Sequence, residues 1–195
     1  MVVPYYDQNA DDYFDRTVGI DLSEMRNIFL EFIPEGGSIL DAGCGSGRDT
    51  KAFLNAGYQV QAFDSSTQLT QLASEFTGVE VVDSSFLNYA SKTQFDGIWA
   101  CSSLLHVPRA ELLLTVQHLA KLLRVGGFFY SSFKQGHTER FANGRYFNDM
   151  DASLFDELLS GSEWLEPEKI WITIDGRLKQ RKRWLNTICR RIEIK

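Results

Sequence analysis

Cysteine is scarce in this sequence, and the three that occur stand far apart, at Cys44, Cys101 and Cys189. An odd count without a C-x-x-C pair excludes a disulfide scaffold and the usual zinc spacings, so we predict a reducing compartment and no metal. No run approaches the roughly 18 apolar residues of a membrane-spanning helix. The acidic N-terminal segment MVVPYYDQNADDYFD lacks the bases of a targeting peptide. We therefore expect a cytoplasmic protein without a membrane partner.

A basic surplus is also missing, because the formal net charge is −6. This balance argues against a dedicated DNA-binding protein, and we predict no DNA partner. The charge is unevenly divided, however: residues 177–195 contain eight Lys or Arg and one acid, which leaves −13 for the rest of the chain. Such a tail is typical of a solvated strand edge that discourages pairing. The alternative is phosphate contact with RNA or an anionic substrate.

Two hydrophobic periods alternate along the chain. Short apolar runs alternate with segments in which apolar residues recur every three or four positions, and this pattern predicts alternating strands and helices up to about residue 133. Such alternation indicates a parallel sheet with helices on both faces. The polar segment 134–149 is predicted as a loop. One helix follows, and then two strands over 169–174 and 183–194 that we expect to form a hairpin. We predict a single α/β domain over residues 1–195, a doubly wound sheet with an antiparallel edge.

The strongest local signal is the segment DAGCGSG over residues 41–47, between a predicted strand and a predicted helix. Glycines there permit a tight turn and let backbone amides approach a ligand at a helix N-terminus. The dinucleotide fingerprint G-x-G-x-x-G requires a glycine where this chain has Arg48. Asp41, directly beneath the turn, would repel a pyrophosphate and attract an ammonium or sulfonium group.

Acids end three successive predicted strands, at Asp41, Asp64 and Asp83. The carboxyl ends of parallel strands meet at one edge of a doubly wound sheet, where ligands bind. A carboxylate at Asp64 can accept hydrogen bonds from both hydroxyls of a ribose, and Asp83 is placed to accept from an adenine amino group. Each acid alone would fit a turn or a helix cap. Together with the glycine turn, the three favour a nucleoside site.

The segment ILDAGCGSGRDTKAFLNAGYQVQAFDSS resembles the glycine motif and following acidic loop of class I S-adenosylmethionine-dependent methyltransferases. The resemblance continues, in the order of that family, through VVDSSF at 81–86, FDGIWACSSLLHV at 95–107 and LLRVGGFFYSSF at 122–133. The GCGSGRDT stretch and the short chain are similar to the small bacterial branch that includes tellurite-resistance-type methyltransferases. The resemblance implies a Rossmann-like sheet of seven strands, mostly parallel, with the last strand inserted antiparallel.

Carried onto this chain, the resemblance implies S-adenosyl-L-methionine as the cofactor and a set of contacts with it. Asp41 would face its amino group, and Asp64, with Ser65 beside it, would hold the ribose. Asp83 and Ser84 would hold the adenine. The remaining cofactor-binding residues, along the methionyl part or near the adenine, would be Gly43, Cys44, Gly45, Gly47, Phe86, Cys101 and Ser102.

Methyl transfer from a sulfonium needs aligned reacting atoms and a dry site, and a base only when the nucleophile must lose a proton. His106 follows the fourth predicted strand and is the candidate base or substrate contact; the alternative is a histidine satisfied by backbone groups. Residues 1–20 are a candidate lid, the alternative being a loosely ordered terminus. The substrate-side candidates are Tyr13 and Arg16 in that segment and Lys134, Arg145 and Tyr146 in the segment 134–149.

The sequence thus predicts a methyltransferase that acts by in-line displacement on a small molecule, such as a thiol, a chalcogen or a carboxylated metabolite. The first alternative is a tRNA-modifying methyltransferase that uses the basic C-terminal hairpin. Further alternatives are a cofactor-binding module without catalysis and a nicotinamide-dependent oxidoreductase, against which Asp41 and Arg48 argue. The absence of Asn-Pro-Pro, Asp-Pro-Pro and Pro-Cys motifs disfavours amino-directed and C5-directed DNA methylation.

Overall fold

The computed structural model describes residues 3–175 and 182–194. Its helices are α1 (Val3–Gln8), α2 (Ala10–Thr17), α3 (Ser23–Leu30), α4 (Arg48–Asn55), α5 (Thr67–Thr77), α6 (Arg109–Leu122) and α7 (Ala152–Ser160), with a short 3₁₀ turn over Leu104–His106. Its strands are β1 (Ser38–Ala42), β2 (Gln59–Asp64), β3 (Val81–Asp83), β4 (Phe95–Ala100), β5 (Leu123–Lys134), β6 (Glu139–Ala142), β7 (Arg145–Asn148), β8 (Leu165–Asp175) and β9 (Lys182–Arg191).

Seven of these strands form one sheet in the order β3-β2-β1-β4-β5-β9-β8. β1 to β5 run parallel to one another, whereas β9 runs antiparallel to both β5 and β8. The strand order reverses between β1 and β4, which is the switch point of a doubly wound sheet. The predicted fold, including its antiparallel C-terminal strand, is confirmed. The predicted hairpin is β8 with β9, although β8 begins at Leu165, earlier than the sequence indicates.

Both faces of this sheet are covered, because adjacent strand residues point to opposite sides. On one face Ile39, Trp99 and Tyr130 pack against aromatic residues of α3 and α4, and the rings of Trp99 and Tyr130 stack with their centroids 3.9 Å apart. The other face packs against α6 and α7, and its core includes Leu40, Ile98, Leu112, Leu119, Phe129 and Phe155. The two layers fix the positions of the strand ends.

The segment 134–149 was predicted as a loop, and this prediction was wrong, because β6 and β7 form a two-stranded hairpin within it. Asn143 and Gly144 make its turn with φ angles of 52° and 73°, as a two-residue type I′ turn requires. The Asn-Gly pair is a hairpin signal, but the flanking residues are too polar to stand out as strands. The hairpin brings Arg145 and Phe147 to the carboxyl edge of the main sheet.

Candidate active site

A cavity of about 820 Å³ lies at the carboxyl ends of the parallel strands. Folds of this kind bind ligands at this edge, and the volume is typical of small-molecule sites. Gly47, Asp83, Ser84 and Tyr146 lie outside its lining. The other predicted site residues come together in the lining: Tyr13, Arg16, Asp41, Gly43, Cys44, Gly45, Asp64, Ser65, Phe86, Cys101, Ser102, His106, Lys134 and Arg145.

The glycine turn brings the backbone close to neighbouring side chains. Gly43 and Gly45 have φ angles of 76° and 56°, in the left-handed region that glycine tolerates. A Cβ on Gly43 would lie 2.6 Å from the Cβ of Ser103, and a Cβ on Gly45 would lie 3.2 Å from the ring of Tyr13. Gly47 faces α5 instead, where its Cβ would meet a side-chain carbon at 2.8 Å. Gly47 therefore serves helix packing beneath the turn.

Replacing Gly43 with alanine is expected to lower the free energy of unfolding by about 2 kcal/mol or more, because the left-handed conformation is costly for alanine and the methyl group would collide with Ser103. Urea unfolding followed by circular dichroism measures the change. Gly19→Ala is the matched control, since a Cβ there would meet no atom within 4 Å. Equal unfolding midpoints for the two variants would contradict the tight approach at the turn.

Asp41 is the next-to-last residue of β1, beneath the turn, and is only 2% exposed. Its Oδ2 accepts a hydrogen bond from the Thr50 hydroxyl at 2.6 Å. Burial raises the pKa of Asp41 to about 7, and the neighbouring charge of Asp49 adds to the increase. A cationic group in the cavity would favour the ionised form of Asp41, since an opposite charge lowers the pKa of a carboxyl.

Asp64 and Asp83 end neighbouring strands and pair in register across β2 and β3. Asp64 accepts hydrogen bonds from the backbone amides of Gly45 at 2.9 Å and Ser66 at 3.0 Å, which tie the end of β2 to the glycine turn. Burial raises the pKa of Asp64 despite these bonds. Asp83 is exposed, and the amide of Ser84 donates to the Asp64 carbonyl at 2.9 Å. Both therefore stand next to Asp64 but outside the cavity lining.

An ion-pair network that sequence reasoning missed lies beside the turn. Asp49 is 4% exposed and pairs with Arg48 at 2.6 Å and with Arg26 at 2.7 Å. It also accepts a hydrogen bond from the indole of Trp99 at 3.0 Å. Although burial alone would raise the pKa of Asp49, the arginines and the indole lower it. An acid in the first turn of a predicted helix, directly after Arg48, was the available signal.

Burial keeps the three thiols protonated. It raises the pKa of Cys44 well above the usual value, and the charges of Asp41 and Asp64 add to this effect. It also raises the pKa of Cys101 to about 11 and that of Cys189 to about 12. Because a nucleophilic cysteine reacts as its thiolate, the surroundings of Cys44 favour its role as a small residue of the turn.

Both ring nitrogens of His106 are engaged in the cavity wall. Its Nδ1–H donates to the Tyr146 carbonyl at 2.7 Å, so Nε2 carries no proton and accepts from the Tyr6 hydroxyl at 2.8 Å. Burial lowers the pKa of His106 to about 4, and the charges of Arg145 and Lys134 contribute to the decrease. The imidazole is therefore neutral. One nitrogen is satisfied by the backbone, as the alternative reading expected, and the other meets a side chain inside the cavity.

The two partners of His106 are tyrosines, of which the sequence indicated Tyr146 but not Tyr6. Tyr146 contributes its backbone carbonyl, while its hydroxyl donates to Glu139 outside the cavity lining. Tyr6 was missed, although it precedes Tyr13 by seven residues, a spacing that places both on one face of a helical segment. Their rings pack edge to face with centroids 5.0 Å apart.

α1 and α2 cover one side of the cavity. Phe14 packs edge to face against Phe76 of α5, with 5.7 Å between the ring centroids. Residues 3–17 therefore form two short helices that meet at Asn9 and dock on the domain, which contradicts the alternative of a loosely ordered terminus. Arg16 lines the cavity, but its side chain is 57% exposed and pairs with Asp12 at 2.7 Å.

The basic tail divides into residues with different surroundings. Lys182 lines the cavity at the start of β9, whereas Arg190 is exposed. Arg191 is 9% exposed and donates to the carbonyl of Leu123, so it supports the fold. Contact of the tail with RNA stays a prediction. Arg183, next to Lys182 in β9, is also exposed. Four further basic residues of the tail lie outside the described part of the chain: Arg177, Lys179, Arg181 and Lys195.

Two kinds of feature are absent from residues 3–175 and 182–194, namely a metal-binding cluster and a membrane-spanning helix. Within these ranges, no group of three or more His, Cys, Asp or Glu side chains could hold a metal ion. No helix in the same ranges is both long and apolar enough to cross a membrane.

Residues 39–127 match the family model described as a methyltransferase domain. This range contains the glycine turn, two of the strand-ending acids within the cavity, and His106. The match identifies residues 39–127 as a methyltransferase domain, and the sheet topology is that of the class I S-adenosylmethionine-dependent methyltransferases.

Proteins similar to this chain in sequence or in structure come from several bacteria. An uncharacterized methyltransferase of Staphylococcus carnosus (strain TM300) is 25% identical over 192 residues, with 90% of this chain and 93% of that one covered. The structure of Burkholderia thailandensis 1,6-didemethyltoxoflavin-N1-methyltransferase with bound 1,6-didemethyltoxoflavin and S-adenosylhomocysteine is 24% identical, has a TM-score of 0.78 and covers 98% of this chain and 88% of its own. The structure of magnesium protoporphyrin IX methyltransferase of Synechocystis PCC 6803 with bound S-adenosylmethionine is 16% identical and has a TM-score of 0.72. The match covers 96% of this chain and 94% of that one.

Proposed function

We propose that this methyltransferase transfers a methyl group from S-adenosyl-L-methionine to a small-molecule acceptor. The supporting observation is a continuous cavity that joins Asp64 and the glycine turn to an acceptor side lined by Tyr6, His106 and Lys134. Two structural relatives are named for small acceptors, 1,6-didemethyltoxoflavin and magnesium protoporphyrin IX.

The residues around the turn fit the cofactor. Gly43 and Gly45 carry no side chain of their own, so the turn presents backbone groups beside the buried carboxyl of Asp41. We propose that Asp41 faces the amino group and that Asp64, with Ser65, accepts from the ribose hydroxyls. The remaining proposed contacts follow the family resemblance: Cys44, Gly47, Asp83, Ser84, Phe86, Cys101 and Ser102.

For methyl transfer the protein has mainly to align the reacting atoms and to exclude water. When bound, the cofactor supplies a methyl group on a positively charged sulfur, which is already a good leaving group. Residues 1–20 are proposed as the lid, since Tyr6 and Tyr13 lie in the cavity lining. Where the acceptor must lose a proton, the Tyr6 oxygen can take it while the Tyr6 hydroxyl proton passes to Nε2 of His106. Because the pKa of His106 is lowered to about 4, the imidazole holds this proton only transiently.

Two measurements test this proposal: calorimetric titration with S-adenosylhomocysteine, and methyl transfer to a panel of thiols, chalcogen compounds and carboxylated metabolites. We expect binding in the micromolar range and transfer to at least one small acceptor. Absence of binding would overturn the proposal. Transfer to bulk tRNA alone, with a steep salt dependence of RNA binding, would favour the RNA-modifying alternative. Binding without any transfer would favour a non-catalytic module.

His106→Gln and Tyr6→Phe are each expected to slow methyl transfer about tenfold, because each removes one step of the proton path. The expected factor is modest since the methyl donor is already activated. Single-turnover rates with an acceptor found in the panel measure it. His137→Gln is the matched control, because its side chain is 77% exposed and does not line the cavity. A double variant slowed by the product of the two single factors would argue against a shared path.

A further inference from the structure

Three cations surround the ring of Phe147, which is 3% exposed. From the ring centroid, Nζ of Lys134 lies at 3.4 Å, Cζ of Arg140 at 4.7 Å and Cζ of Arg145 at 5.2 Å. Asp149 neutralises Arg140 through hydrogen bonds of 2.7 and 3.0 Å. Lys134 and Arg145 both line the cavity, whereas Asp149 is bound to Arg140.

The guanidinium of Arg145 is held in place but not satisfied. It stacks over the ring of Tyr5, with Cζ 4.8 Å from the centroid. Its Nη1 reaches the Tyr6 hydroxyl at 3.4 Å, while its Nε is buried and has no hydrogen-bond partner among the described residues. A guanidinium stays charged in a protein, so Arg145 presents a positive charge to the cavity.

The ammonium group of Lys134 is also a cavity-lining cation with other cations close by. Burial lowers the pKa of Lys134 to about 8, and Asp149 opposes this decrease only in part. The decrease is strengthened by three neighbouring cations: Lys182, Arg140 and Arg145. Like charges this close destabilise one another unless an anion lies between them.

We propose that the methyl acceptor carries an anionic group, a carboxylate or a phosphate, that binds between Lys134 and Arg145. The inference rests on the proposed function and adds the chemical class of the acceptor. Guanidinium and ammonium groups are the donors that carboxylates and phosphates bind most strongly. Because Arg145 also contacts the Tyr6 hydroxyl, an anion bound there anchors the acceptor beside the Tyr6–His106 pair.

Three probes added to the chain loaded with S-adenosylhomocysteine test this inference: benzoate, phenyl phosphate and benzamide. At least one of the two anions should bind about tenfold tighter than neutral benzamide, and the tighter anion identifies the group that is recognised. Ligand-observed NMR titrations measure all three affinities. A chain that fails to load would contradict the proposed function. Equal affinities for the three probes, or no binding of any of them to a loaded chain, would overturn the anion site alone.

Variants of the two cations give a second measurement. Lys134→Met and Arg145→Gln should each reduce the preference for the anion at least about fivefold, and should change the affinity for S-adenosylhomocysteine less than about twofold. Lys134→Arg keeps the charge and should keep the preference. Lys92→Met, at an exposed lysine outside the cavity lining, is the matched control. Full retention of the preference in both neutralised variants would overturn the proposal.

Discussion

Asp64→Asn is expected to weaken the binding of S-adenosylhomocysteine at least about a hundredfold. In the proposed complex the carboxylate accepts from two ribose hydroxyls, and a hydrogen bond to a charged group contributes about 1.5–3 kcal/mol. Loss of two such bonds therefore costs about 3 kcal/mol or more, and about 1.4 kcal/mol corresponds to a factor of ten. Calorimetric titration of the variant and the parent chain measures the ratio.

The fold should survive this substitution. Burial raises the pKa of Asp64, so replacing its carboxylate with a neutral amide removes a charge that the surroundings disfavour. The substitution also removes one hydrogen bond, from the backbone N–H of either Gly45 or Ser66. A melting transition close to that of the parent is expected and separates lost binding from lost structure. Asp156→Asn, at an exposed acid on α7, is the matched control. Binding of the Asp64→Asn chain at parental affinity would contradict the ribose contact.

The cofactor side could be predicted from the sequence because its parts follow from local order. Asp41 and Asp64 come directly after apolar runs, and parallel strands bring such positions to one edge of the sheet whatever the intervening helices contain. The glycine turn likewise joins one strand to the next helix. Asp83 shows the limit of this reasoning, because it ends its strand as predicted, yet its carboxylate accepts from the Thr67 hydroxyl at 2.6 Å outside the cavity lining.

The acceptor side could be predicted only in part, because it is assembled by contacts between distant segments. Tyr6 meets His106 across 100 residues, and His106 is oriented by a backbone carbonyl that no residue type reveals. Lys134 and Arg145 were expected there, but the strand pairing that brings them to one aromatic ring depends on the turn at Asn143 and the following glycine. Burial of that ring, rather than the polarity of the segment, determines the local structure.

Positive and negative charges are distributed differently in the structure than along the sequence, where an acidic segment is followed by a basic tail. Asp41 and Asp64 place negative charge at the turn, and Lys134 and Arg145 place positive charge at the acceptor side of the same cavity. Of the tail, Lys182 reaches this cavity. A cationic donor and an anionic acceptor would each bind opposite charge, which favours binding of the two together.

The affinity for S-adenosylhomocysteine is expected to fall as the pH decreases through 7, by about a hundredfold between pH 8 and pH 5. Burial raises the pKa of Asp41 to about 7 in the free chain, and only the ionised carboxylate can pair with the ammonium group of the ligand. Binding therefore requires the loss of a proton below this pKa, and the affinity falls about tenfold for each further pH unit. Above pH 7 the carboxylate is already ionised, and the affinity should level off.

Two comparisons assign this pH dependence to Asp41. 5′-Methylthioadenosine keeps the ribose and adenine but lacks the amino group, so its binding reports any titration of Asp64 without a contribution from Asp41. Asp41→Asn keeps the size of the side chain and its place beside Thr50, and should bind S-adenosylhomocysteine weakly with little change across the same range. Calorimetry in buffers of different ionisation enthalpy should show proton release near pH 6 for the parent chain alone. If the Asp41→Asn chain keeps the full pH dependence, another group carries the titration, and the carboxyl beneath the glycine turn does not face the ammonium group.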